Sequence, residues 1–274
     1  MKKNTVLLIV ALFVISAPWL FRPAFATINA QIQKETTYID LNGDWHVVGE
    51  VLNTGNVWLT QIRISATLRA QNGSTIDFPA AYTFLNNLSP GEAAGFNVME
   101  ENAANSGAVS SYTLNLEFHE SQPVTFALNA YAVNATKDIY GSIVLTGFVQ
   151  NNGNTESDYT KVVGTFYGAD GNVVYVGMTS TDPATIPLAN RQPFQLTVPG
   201  ADRSNLVTSW SLLVESQQFT SIPEWQTPAI IAGITLCLAV VTLRVATVGR
   251  TLPLPSAASR LVRRVNVTPS FEPT

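Results

Sequence analysis

Apolar and polar residues alternate with a period of two along most of the chain between two uninterrupted apolar runs. From Gln61 to Arg69 the residues Ile62, Ile64, Ala66 and Leu68 take one parity, and Gln61, Arg63, Ser65, Thr67 and Arg69 the other. Only an extended strand puts two such sets on opposite faces. The same alternation places Trp45, Val47 and Val51 on one face of an earlier strand, Phe96 and Val98 on one face of a later one, and Tyr112, Leu114, Leu116 and Phe118 on one face of another. Turn sequences rich in Asn and Gly separate these runs: Asn53-Thr54-Gly55-Asn56, Asn72-Gly73, Ser89-Pro90-Gly91, Asn151-Asn152-Gly153-Asn154 and Asp170-Gly171.

The pattern occurs twice. Residues 43–73 align without a gap on residues 141–171, an offset of 98, with eight of 31 positions identical; average residue usage gives about two by chance. Beyond that window the offset carries Phe96 onto Phe194, Tyr112 onto Trp210, Leu114 onto Leu212 and Glu117 onto Glu215. Ile28, Ala30 and Ile32 fall on Phe126, Leu128 and Ala130, so each copy opens with a strand just before its first glycine. Seven or so short strands in each repeat predict an all-β chain of two tandem antiparallel sandwiches, residues 27–121 and 122–220.

Gly49-Glu50-Val51-Leu52-Asn53-Thr54-Gly55, with Leu88-Ser89-Pro90-Gly91-Glu92 ahead of Phe96, resembles the FxLYD-type domain of prokaryotic secreted and membrane-anchored proteins. In the second copy Thr165-Phe166-Tyr167-Gly168-Ala169-Asp170-Gly171 is similar to that family's aromatic-Tyr-Asp turn, with Gly168 standing where Asp is expected; in the first copy Leu68-Arg69-Ala70-Gln71-Asn72-Gly73 departs further. The resemblance implies an immunoglobulin-like fold and a non-enzymatic surface role, and it carries no catalytic or ligand residues.

The two apolar runs give the expected topology. Lys2-Lys3, the run from Val6 to Ala17, and Ala24-Phe25-Ala26 have the order of a secretory signal, residues 1–26, cleaved after Ala26. After a linker at 221–227, residues 228–248 are expected to form one membrane-spanning helix: no charge occurs from Ala229 to Leu243, Trp225 stands at the outer end, and Arg244 can snorkel. Arg250, Arg260, Arg263 and Arg264 then mark residues 249–274 as a basic, disordered cytoplasmic tail, leaving both sandwiches outside the cell. Ser221-Ile222-Pro223-Glu224-Trp225 ahead of this run resembles the Pro-Glu-Phe sorting signals of archaeal surface proteins, with Trp in place of Phe and a longer tail.

Charge and composition narrow the chemistry. Residues 27–226 hold seven Lys or Arg and eighteen Asp or Glu, a net of 7 − 18 = −11, which argues against nucleic acid as a partner. The single Cys237 lies in the second apolar run, so the exported region has no thiol for a disulfide or a metal. Of two histidines, His46 falls on the face opposite Trp45 and Val47 and His119 at the end of a later strand; both are expected at the surface, without a third metal ligand. Glu156, Asp158 and Asp170 lack the alternate-residue spacing of a calcium loop, and no serine stands in a nucleophile elbow. The Asn-Gly turns are expected to be structural. The sequons at Asn72, Asn87 and Asn134 are candidate glycosylation sites. The expectation is a cell-membrane protein without enzymatic activity, cofactor or metal, whose sandwiches serve binding, spacing or envelope assembly toward a protein or glycan partner. The alternative is an accessory subunit of a membrane complex, docked through Ala229, Ala232 and Gly233 of the span.

Overall fold

The computed structural model describes residues 26–222, which fold mostly into β-strands joined by turns. The first copy forms β1 (Ala30–Ile39), β2 (Trp45–Asn53), β3 (Trp58–Arg69), the short β4 (Thr75–Asp77), β5 (Ala80–Tyr82) and β6 (Asn87–Leu88), then β7 (Ala93–Glu100), a one-turn helix α1 (Ala103–Ser106) and β8 (Ser111–Ser121). The second forms β9 (Thr125–Lys137), β10 (Ile143–Asn151), β11 (Lys161–Tyr167), β12 (Val173–Ser180), β13 (Arg191–Val198), helix α2 (Ala201–Ser204), β14 (Ser209–Glu215) and β15 (Phe219–Ser221). At the 98-residue offset β2 falls on β10, β7 on β13 and α1 on α2, end for end. No helix among the described residues is long and apolar enough to cross a membrane; the expected signal sequence, apart from Ala26, and the expected span and tail lie outside them.

The residues shared by the copies have local reasons. Gly49 pairs with Phe96 across β2 and β7, as Gly147 does with Phe194 across β10 and β13. A Cβ on Gly49 or Gly147 would lie 2.8 or 2.9 Å from its partner's phenyl ring, so the ring occupies the space a side chain would need. Asn53 and Asn151 are fully buried. The Asn53 amide donates to the carbonyls of Val57 and Leu88, at 2.8 and 3.1 Å, and Asn151 donates to those of Thr155 and Ile186, at 2.8 and 3.0 Å. Each side-chain oxygen accepts the amide of the glycine two residues on, Gly55 or Gly153. These asparagines satisfy buried turn carbonyls and leave nothing for a ligand.

In the first copy β1-β2-β7 make one sheet, and β3 with β4, β5, β6 and β8 makes the other. Val47, Val51, Ile62, Ile64, Leu68 and Phe96 fill the space between them. In the second copy β15 pairs antiparallel with β14 and parallel with β9. That joins the two halves into one seven-stranded sheet, β12-β11-β14-β15-β9-β10-β13, around Leu145, Val149, Phe166 and Leu196.

The copies are fused rather than strung on a linker. On β2 the outward parity, His46, Val48 and Glu50, is as buried as the inward parity. That outward face packs against β12, and β11 lies against β7: Val163, Val173 and Val176 of the second copy belong to the core of the first. Each fully buried valine contributes roughly 1.5–3 kcal/mol. A Cβ on Gly95 would stand 2.6 Å from Val176 and 2.7 Å from Thr165, so the sheets approach closely there. Four β layers therefore stack in one block.

Two buried carboxylates lock the layers. Glu50, 2% exposed, accepts from Tyr167 Oη at 2.8 Å across the junction and from Gln33 Nε2 at 2.7 Å, and pairs with Lys34 Nζ at 2.7 Å. Burial first, and then the Glu50 contact, push the Tyr167 phenol well above its ordinary range. Glu215, 1% exposed, accepts the backbone amides of Asn86 and Asn87 at 2.7 and 2.9 Å and pairs with Lys161 at 3.2 Å. Both carboxylates are fully partnered, which a buried charge requires.

Candidate functional site

The open space at the junction is a cleft of about 550 Å³, lined by polar and apolar side chains, where the end of β1, the turn into β2, β7, β12 and the segment around α2 meet. The turn is set by Asp40, whose Oδ1 accepts the amides of Asn42 and Asp44, both at 2.9 Å, with Gly43 at φ +89°. Asp138 repeats this with the amides of Tyr140 and Ser142, at 2.9 and 2.8 Å. Only in the first copy does a histidine follow: His46 Nε2 stands 3.7 Å from Asp40 Oδ2.

His46 is 6% exposed, which corrects the expectation of a surface histidine. Its strand parity is as expected, but the second copy covers that face. Its Nδ1 lies 3.0 Å from Asn97 Oδ1, and its ring stacks on Tyr38 with centroids 4.5 Å apart and planes 7° from parallel. With one face of Tyr38 taken, Arg203 of the second copy lies over the other, 3.9 Å from the ring centroid. The Arg203 guanidinium is thus placed by stacking, with Asp202 at 3.7 Å, and makes no hydrogen bond among the described residues. Burial pushes the Tyr38 phenol up to about 12, partly offset by Arg203. Burial acts against the Asp40 carboxylate, but the amides of Asp44 and Asn42 and the neighbouring His46 hold it below the ordinary range.

Three buried side-chain polar atoms among the described residues lack a hydrogen-bond partner: His46 Nε2, Arg203 Nε and Ser121 Oγ. The first two belong to residues lining this one cleft. Unpaired buried nitrogens are rare because each costs about 1–3 kcal/mol, so their concentration here marks the cleft. A second hollow of about 520 Å³, lined by Thr146, Phe148, Asp182 and Gln195, lies on the outer face of β10 and β13 and includes none of the unpartnered atoms.

No family model matches the chain, and no curated protein is significantly similar to it. Solved structures share only a faint likeness. The red sea bream transglutaminase is 11% identical over 76% of this chain, with a TM-score of 0.24, and the exo-chitosanase of Amycolatopsis orientalis is 12% identical over 71%, with a TM-score of 0.25. The chain spans 33% and 26% of their lengths. Likeness at that level assigns neither fold nor activity, and the resemblance to FxLYD domains rests on the quoted residues alone.

The other residues singled out in the sequence do not converge on the cleft. His119 is exposed and paired across strands with Thr60, at the end of the sandwich away from His46. Asp158 binds Gln218 and Thr185, Asp170 closes the turn at Asn172, and Glu156 is exposed; no group of metal-ligating side chains occurs among the described residues. Asn72 and Asn134 are exposed, whereas the amide of Asn87 donates to Glu215 at 2.9 Å. Sequence reasoning passed over Tyr38, Asn97 and Arg203. A signal was available in apolar residues at outward parity: Val48 on β2, and Val163 and Leu213, paired across β11 and β14, where the first copy pairs Ser65 with Asn115.

Proposed function

We propose that this chain is a membrane-anchored surface protein without enzymatic activity, whose two immunoglobulin-like sandwiches form one rigid binding module outside the cell. The observation that carries the reading is the fusion of the copies: β2 is buried on both faces and Glu50 and Glu215 are locked across the junction. A module that holds one shape presents a preformed cleft at low ordering cost, which suits recognition. The apolar runs at 6–17 and 228–248 and the net of 7 − 18 = −11 over residues 27–226 support export and tethering. The test is membrane fractionation of cells expressing the full chain, with external protease added to intact cells. Retention in the carbonate-washed membrane and removal of the sandwiches by outside protease are expected. Release by carbonate, or protection of the sandwiches in intact cells, overturns the reading.

A further inference from the structure

We propose that the cleft between the sandwiches binds a neutral saccharide of one or two rings. This names the ligand class of the binding module above and rests on that reading.

The presence of both donors and acceptors on the cleft wall carries the argument. The Arg203 guanidinium, fixed by Tyr38, and the Asn97 amide, fixed by His46, offer donors; the half-exposed Asp202 carboxylate, and Asp40 Oδ2 beside the bond it takes from Asn42 Nδ2 at 3.3 Å, offer acceptors. Vicinal hydroxyls both donate and accept, so a polyol satisfies such a wall. A phosphate or carboxylate ligand would face two carboxylates, and a cationic ligand would face the guanidinium. Met178 and Leu41, 56% and 89% exposed, with Tyr175, supply an apolar ledge for the C–H face of a sugar ring. The volume of about 550 Å³ lies in the usual range for small-ligand sites, which favour junctions between domains.

The unpartnered nitrogens point the same way. His46 is more than nine-tenths buried, and its Nε2 has no hydrogen bond although a carboxylate stands 3.7 Å away. Arg203 Nε is buried and equally unsatisfied. A hydroxyl seated on Asp40 or Asp202 would lie beside these nitrogens; each is closed to a water-sized atom in the free chain, so bonding to it directly would require the Tyr38–His46–Arg203 stack to shift.

The chain has only two histidines, so their imidazole signals report cleft and surface separately. The full-length chain in mild detergent is titrated with neutral hexose and N-acetylhexosamine disaccharides, and in parallel with inorganic phosphate, while both imidazoles are followed by NMR. At least one disaccharide is expected to shift His46 and leave His119 in place. Met178→Arg, made at an exposed position on the cleft wall, and Arg203→Leu are each expected to weaken that binding at least 10-fold, while Arg191→Leu on the outer face of β13 leaves it unchanged. Circular dichroism checks that each variant is folded. The proposal is overturned if no disaccharide moves His46, if only phosphate does, or if folded Met178→Arg binds like the unaltered chain. Saccharide binding that leaves His46 unmoved sinks the cleft and spares the binding module; release of the protein by carbonate sinks the module whatever the titration gives.

Discussion

Replacing Val163 by the residue its repeat partner carries tests whether the junction is a true core. Val163 is 2% exposed and packs with Val173 and Val176 among the core residues of the first copy. Val163→Ser removes roughly 1.5–3 kcal/mol of apolar burial and adds about 1–3 kcal/mol for a hydroxyl without a partner. A loss of about 3–5 kcal/mol follows, a large part of the ~5–15 kcal/mol that holds a typical domain together. The reverse exchange, Ser65→Val, acts on the open outer face of β3 and is expected to stay within about 0.5 kcal/mol of zero. Urea unfolding followed by tryptophan fluorescence and circular dichroism measures both. The unaltered protein is expected to unfold in one transition seen alike by both probes, because neither copy can leave without exposing the shared layer. A cost below about 1 kcal/mol for Val163→Ser, or an equal cost for the two exchanges, would refute the reasoning.

Two further expectations follow from the junction. A double-mutant cycle on Glu50→Ala and Tyr167→Phe is expected to show coupling of about 1–3 kcal/mol across the junction, from the charge-assisted hydrogen bond at 2.8 Å; additive effects would mean the bond carries nothing. The Tyr38 phenol is raised from 10.0 to about 12 in the fold, so its contribution is full below pH 10 and is lost as pH rises toward 12. Discounted for partial exposure this amounts to about 1–2 kcal/mol. Stability measured across that alkaline window is expected to fall less in Tyr38→Phe, and an identical fall in both proteins would contradict it.

The strands and the repeat were legible because both rest on local rules. Ile62, Ile64, Ala66 and Leu68 declare a buried face by parity alone, the recurring Asn53 and Gly55 mark the same bonds in both copies, and the recurring Gly49 marks the same close approach of a phenyl ring. Backbone strain recurs where residue types do not, with positive φ at Lys34 and Ala132, Gln61 and Tyr159, and Gly91 and Ala189; dissimilar side chains hid it. The cleft was not legible. It is built from Tyr38 and Arg203, far apart in sequence, and from a histidine whose parity correctly placed it outside its own sandwich. What covers that outside depends on a second copy, and period-2 alternation carries no information about a neighbouring layer. Val163 opposite Leu213 was a clue, an apolar pair where the first copy has a polar one.

The stacking of layers also gives the two repeats unlike outer faces. Each repeat offers one face to the repeat after it and another to the repeat before, an arrangement that could in principle extend without end, as in any head-to-tail assembly. The first repeat carries Ser65 and Asn115, the charged pair Arg63 and Glu117 at 3.3 Å, and Thr67 on the outer face of β3 and β8. Tyr82, paired with Arg63 and 61% exposed, is the large ring on that face, which has Ser65 and Asn115 at the positions of Val163 and Leu213. The seam between the copies is therefore one-sided: the apolar pair that joins the second repeat to the first has polar counterparts on the outer face of the first.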